Sequence, residues 1–238
     1  KLKLEILDAE GKLIDTLPAS KRRGINRVQW SMSVKPPRTP QGATLAGAAT
    51  YGPRVLPGTY RVRLTKNGKV YETPLRVDLD PRAAYTIDDR KAQFAAAMRV
   101  HALFERMSDL SERIVALREQ AAAKAAALAE GERAKKRLLQ LVTRIEDVRR
   151  QIVATKEGGA VTGEERLREH LDSLYGAIVG WEGRPGSYQL QRIDALEREL
   201  GEVEAEFAKL LEREARPLGV VLAAIAAGGD GGSRVAAR

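Results

Sequence analysis

The apolar residues change their period near residue 81, and that change constrains the fold more than any other feature of the chain. Before it, the pattern runs in twos. Leu2, Leu4 and Ile6 alternate with Lys1, Lys3 and Glu5, as in a half-buried strand. "DAEGK" (8–12) reads as a turn in which Gly11 can take positive φ, and Leu13 to Leu17 returns as a second strand. In "GINRVQW", Asn26, Val28 and Trp30 share one face, which predicts a further strand with Trp30 in the core. Asn67-Gly68 is a preferred pair for a type I′ hairpin. With that turn Leu64 faces Tyr71, Val62 faces Thr73 and Arg63 faces Glu72. The first two pairs are expected to point inward and the third to form an exposed ion pair. Residues 1–81 therefore read as a small antiparallel β-sandwich.

After residue 86 the spacing becomes helical. Thr86 and Asp89 are placed as an N-cap and an acidic N3 residue, and Pro81 stops the last strand. Ala96, Val100, Leu103, Met107, Leu110, Ile114, Leu117 and Ala121 follow at alternating steps of four and three, a seam with a repeat of 3.5 residues. Gly131 marks a turn. A second helix carries Leu138, Leu141, Ile145, Val148 and Ile152, and "EGGAVTG" (157–163) breaks it. A third carries Leu167, Leu171, Leu174, Ile178 and Trp181. After "EGRPGS" (182–187), a fourth carries Ile193, Leu196, Leu200, Val203, Phe207 and Leu210. The expected architecture is α+β in two domains, with a sandwich at 1–81, a linker at 82–86 and an antiparallel three- or four-helix bundle with a long first helix at 87–215. Residues 216–238 read as a largely disordered tail.

Composition narrows the chemistry. With no Cys among 238 residues, disulfides and thiolate metal sites are excluded. The longest apolar run, "LGVVLAAIAA" (218–227), falls short of the ~20 residues of a membrane-spanning helix. No signal peptide is visible. The chain begins at Lys1, already in strand-like alternation, and so reads as a fragment of a longer polypeptide. The net charge of +9 is uneven: residues 1–85 hold 16 Lys and Arg against 7 Asp and Glu, and the remainder holds 25 of each. The excess cations Lys21, Arg22, Arg23, Arg61, Arg63 and Arg76 are the candidate interaction surface. Arg61, Arg63 and Arg76 alternate with inward residues, which places them on the outer sheet face. Nucleic acid is a disfavoured partner, because the basic strands lack aromatics on which bases stack.

No catalytic motif emerges. His101 lies beside the first helical seam, where a structural role is expected. His170 has no second His at i+4, so the HExxH zinc arrangement is missing. The acidic residues stand at helical surface spacing beside Arg and Lys, as in "ERELGEVEAEF", the pattern of a solvated face. GxSxG, P-loop and GxGxxG sequences are absent. No catalytic residue, cofactor or metal ligand is expected. Residues 32–56, rich in Pro, Gly, Ala and Thr, form a long irregular loop. Loops of this length inside compact domains are usually functional, and this one is expected to mark where the β domain touches another domain.

"ILDAEGKLIDTL", "GINRVQW" and "VLPGTYRVRL" together resemble the Ig-like sandwich of the flagellar hook-capping type. The order of the sandwich, then "DPRAAYTIDDRKAQFAAAMRVHALFERMSDL" (80–110), then "LDSLYGAIVGWEGRPGSYQLQRIDALERELGEVEAEFAKLL" (171–211), is similar to the C-terminal region of bacterial sortilin-type, BNR-repeat β-propeller proteins, often labelled glycosyl hydrolases. The resemblance implies an Ig-like sandwich and an accessory region that packs on an upstream propeller and associates with other proteins, in the periplasm or at the cell surface. Two other functions stay open. One is part of a glycoside hydrolase, with its active site in the missing propeller or in a cleft built from residues 32–56. The other is a basic sheet that binds nucleic acid or another polyanion.

Overall fold

The computed structural model of the chain describes residues 2–156 and 164–222. Among them are a four-stranded antiparallel sheet and four helices. The strands β1 (Leu2–Leu7), β2 (Leu13–Leu17), β3 (Gly58–Lys66) and β4 (Lys69–Val77) lie in the order β2-β1-β3-β4. Asn67 and Gly68 take φ of 49° and 83°, the pair of positive angles that a type I′ turn demands. That turn sets the predicted register, with Leu64 opposite Tyr71, Val62 opposite Thr73 and Arg63 opposite Glu72.

One face of the sheet carries a core of Ile6, Tyr60 and Val55, against which Trp30, Val34 and Val62 pack. Trp30 meets the Tyr60 ring edge to face at 5.5 Å between centroids. The expected strand through Asn26, Val28 and Trp30 does not form. Asn26 directs its side-chain amide to the carbonyls of Arg22 and Gly24, at 3.1 and 3.0 Å, and Gly24 takes φ +94°. These bonds favour a turn over a ladder. Residues 18–57 cross the sheet as irregular chain, held by a bridge between Ser33 and Arg54 and interrupted by a short 3₁₀ turn at Ala48–Thr50. Among the described residues the sheet has no second sheet over it. The cover reaches only the end of β4, where Leu75 and Val77 pack against the core; Tyr71 and Thr73, expected to point inward, are exposed.

The helices are α1 (Ile87–Ala126), α2 (Arg133–Ile152), α3 (Leu167–Val179) and α4 (Ser187–Leu210). Thr86 and Asp89 cap α1 reciprocally. The Asp89 carboxylate accepts the Thr86 N–H at 3.0 Å, and the Thr86 hydroxyl accepts the Asp89 N–H at 3.2 Å. All eight predicted seam residues of α1 are buried, as are the predicted apolar residues of α2 and α4. In α3 the prediction fails at its end. The helix stops at Val179, with Gly180 as C-cap, so the helical period does not carry Trp181 inward, and its side chain is 68% exposed.

The chain folds as two compact units. The first comprises Lys1–Ser108 and Ile152–Gly201, and the second Asp109–Gln151 and Glu202–Arg238. This division does not follow the linker expected at 82–86. The sheet shares its unit with α3 and the N-terminal half of α1, because residues 35–55 are bonded to those helices. In the second unit Ile114, Leu117, Leu141, Ile145 and Phe207 are buried. Arg113 lies over the Phe207 ring at 5.5 Å, and Glu146 is held by Arg118 at 2.8 Å and Arg149 at 3.0 Å. The tail expected to be disordered from residue 216 is ordered at its start. Residues 216–218 form a 3₁₀ turn, Lys124 donates to the Leu218 carbonyl at 2.7 Å and Val220 is buried. The rest of that tail and the predicted break at 157–163 lie outside the described residues.

Candidate functional site

The six predicted surface cations separate into two groups. Lys21, Arg22 and Arg23 stand on the turn that Asn26 and Gly24 shape. The Arg22 N–H also donates to the Ser20 hydroxyl at 3.2 Å. This turn forms one lip of a recess of about 840 Å³ whose floor is Leu2, Leu4, Val28 and Leu64. Lys66 stands on the recess as well, and among the described residues no acidic side chain lines it. All of residues 21–27 are exposed, and Ile25 is exposed in full. Among the described residues, Lys21, Arg22, Arg23, Arg27 and Lys66 have no carboxylate partner.

Arg61, Arg63 and Arg76 share the opposite, outer face of the sheet, as the alternation predicted. There the charge is compensated. Glu72 takes Arg63 at 2.5 Å and Arg61 at 3.7 Å. Arg76 pairs with Asp78 at 2.9 Å. Glu5, buried on the same face, takes Lys3 at 2.6 Å. The structure thus places the uncompensated charge at 21–23 and not on the outer sheet face. Sequence reasoning missed Ile25, Arg27 and Lys66. The run "KRRGINR" holds the first two, but reading Ile25 as part of a strand hid its exposure.

The long loop does make contacts, and its partners are helices of its own chain. Arg168, 2% exposed, donates to the carbonyls of Pro40 and Thr44 at 3.0 and 2.8 Å and pairs with Glu169. Gly42 lies so near that a Cβ would stand 2.8 Å from the guanidinium. The Asp172 carboxylate accepts the N–H groups of Ala48 and Ala49 at 3.3 and 2.8 Å. Tyr175 donates to the Tyr51 carbonyl at 2.9 Å. On the α1 side, Arg38 meets Glu105 at 2.7 Å, and His101 Nε2 lies 3.1 Å from the Lys35 carbonyl. Arg90, also 2% exposed, donates to the carbonyls of Arg54 and Val55 at 3.2 and 3.3 Å.

A cavity of about 300 Å³ lies where the end of this loop meets β4 and α1. Its ionisable groups answer one another. Glu182 is held by Arg54 at 2.9 Å, by Arg90 at 3.5 Å and by the Tyr85 hydroxyl at 2.9 Å. Burial, then the hydrogen bond to Glu182, pushes the Tyr85 phenol up. Hydrogen bonds from Arg82, first from its side chain and then from its backbone, hold Asp80 down to about 2. Such a carboxylate is ionised at neutral pH and is no proton donor. His170 is half-exposed, with Nδ1 3.8 Å from Glu165. Among the described residues no group of three or more His, Asp or Glu is placed to hold a metal ion, and no helix is long and apolar enough to cross a membrane. Comparison with protein-family models, with curated proteins and with solved structures finds no match for this chain.

Proposed function

We propose that this chain is a non-catalytic protein-interaction module, the C-terminal part of a longer extracytoplasmic protein with an upstream β-propeller on which it packs. In this reading the sheet with its irregular cover is a reduced Ig-like sandwich, and the four helices serve protein association. The resemblance of the "GINRVQW" and "VLPGTYRVRL" segments supplies the propeller. The observation that carries the module reading is the fastening of residues 35–55 to α1 and α3. A hydrolase site within this chain needs that loop for its cleft, and its polar groups are already bonded to Arg168, Asp172, Tyr175 and Arg90. Glycoside hydrolysis also needs a carboxyl group that keeps its proton. The cavity beside the loop offers three carboxylates, and each is engaged: Asp80 is held low by Arg82, Glu182 is bound by Arg54 and Arg90, and Asp78 pairs with Arg76.

The test is the size and compartment of the native polypeptide in fractionated source cells, read with an antibody against this chain. A band much larger than 26.1 kDa in an extracytoplasmic fraction is expected. A cytosolic band near that mass overturns the propeller reading. Saccharide turnover by the isolated chain overturns its non-catalytic half.

A further inference from the structure

At the turn Lys21–Arg27, exposed charge, exposed apolar surface and a preformed backbone coincide. Lys21, Arg22, Arg23 and Arg27 surround Ile25, and all of them are exposed. Lys66 adds a fifth cation across the recess. The backbone is fixed in advance by Gly24 at φ +94° and by the Asn26 and Ser20 bonds, so little conformational freedom is lost on docking. We propose that this turn docks on an anionic membrane surface, with its cations at the lipid phosphates and Ile25 below them.

Two features favour a lipid surface over other anions. A cluster of four to eight Lys and Arg matches the negative potential of anionic leaflets, and an apolar side chain at its apex strengthens interfacial binding. A soluble polyanion such as nucleic acid offers charge but would leave Ile25 in water. The recess strengthens the match. Leu2, Leu4 and Leu64 line the same recess as the cationic turn and add apolar surface beside it. This inference goes beyond the module reading and does not depend on it, since the native size of the polypeptide is read separately.

The test is co-sedimentation of the full chain with vesicles of phosphatidylcholine, with and without phosphatidylglycerol. Binding is expected only to the anionic vesicles, and it weakens as salt rises. Each cation near such a surface is worth about fivefold in partitioning, so Lys21→Gln with Arg23→Gln lowers binding by about 25-fold. Ile25→Asp lowers it by about tenfold, whereas Ile25→Leu retains it. Arg76→Gln, on the opposite face, leaves binding unchanged. All these side chains are exposed, so thermal unfolding of the variants should match the parent. Absence of binding to the anionic vesicles overturns the proposal. So does equal loss with Arg76→Gln, which would mean a diffuse charge effect. A chain that ignores vesicles but is held by poly-glutamate through Lys21 and Arg23 overturns it in favour of an acidic protein partner.

Discussion

Replacing Arg168 with Ala removes a buried cation that three groups share. Its guanidinium lies 3.0 Å from the Pro40 carbonyl, 2.8 Å from the Thr44 carbonyl and against the half-buried Glu169 carboxylate. The substitution leaves a carboxylate without its counter-ion and two carbonyls without their donor. Breaking a buried ion pair from one side costs about 3–5 kcal/mol, and each orphaned buried carbonyl costs about 1–3 kcal/mol on its own. These terms overlap, and a total near the upper part of the first range, about 4 kcal/mol, is expected. At a urea dependence of about 2 kcal/mol per molar, the unfolding midpoint of the first unit should fall by about 2 M. Trypsin supplies a second readout, because Arg38 and Arg54 lie in the fastened segment and neither precedes a proline. The parent should resist cleavage there and Arg168→Ala should not. Arg168→Lys keeps the charge but loses the planar fork, and should fall between the two. A loss below about 1 kcal/mol, with tryptic resistance at Arg38 and Arg54 unchanged, would refute the idea that Arg168 holds the loop.

Asp89 is held down to about 2 by the Thr86 backbone and hydroxyl and then by Arg184. A depressed carboxylate stabilises the fold above its ordinary value near 3.8, and this contribution is lost as pH falls toward 2. Asp89→Asn should therefore lower stability at neutral pH and flatten the acid-unfolding curve between about pH 4 and pH 2, as followed by circular dichroism. Phe207→Ala empties a fully buried site beneath Arg113 and should cost the second unit about 3–5 kcal/mol in chemical denaturation. Glu72→Gln breaks the partly exposed pairs with Arg63 and Arg61 and should change stability by less than about 1 kcal/mol. A larger loss in high salt would contradict that assignment.

Local rules were readable wherever a few adjacent residues determine the geometry. Asn67-Gly68 dictated the hairpin and its register. Thr86 and Asp89 marked the start of α1, and Gly131, at φ +84°, marked a turn before α2. The seam from Ala96 to Ala121 was visible because a packed helix repeats its apolar residues. What failed depended on partners distant in sequence. Asn26, Val28 and Trp30 alternate as a strand does, yet the side chain of Asn26 bonds its own turn. Trp181 continues the spacing of α3, yet Gly180 ends the helix before it. Arg90 and Arg168 gave no sign of their burial in the sequence, since their partners are carbonyls of an irregular loop with no periodic signature. The same gap hid the compact units, whose division depends on what residues 35–55 touch. At the candidate site, the basic run was legible by composition. The Arg63–Glu72 pair was legible from the hairpin, but the remaining compensation of the outer face by Glu5 and Asp78 was not.

The fastening of the loop also sets an order of events during synthesis. Thr44 meets Arg168, and Ala49 meets Asp172, across 124 and 123 residues of chain. The hairpin and its neighbouring strand β1 can pair as soon as they leave the ribosome, but the segment at 44–51 lacks its α3 partners until Arg168, Asp172 and Tyr175 are made. At 5–20 residues per second, that segment waits about 6–25 s. Closing so large a loop early would also bring no compensating contacts. The N-terminal part of the first unit is thus a dependant of its own C-terminal half, and the newborn chain is most exposed to holdase chaperones and to proteases in that interval.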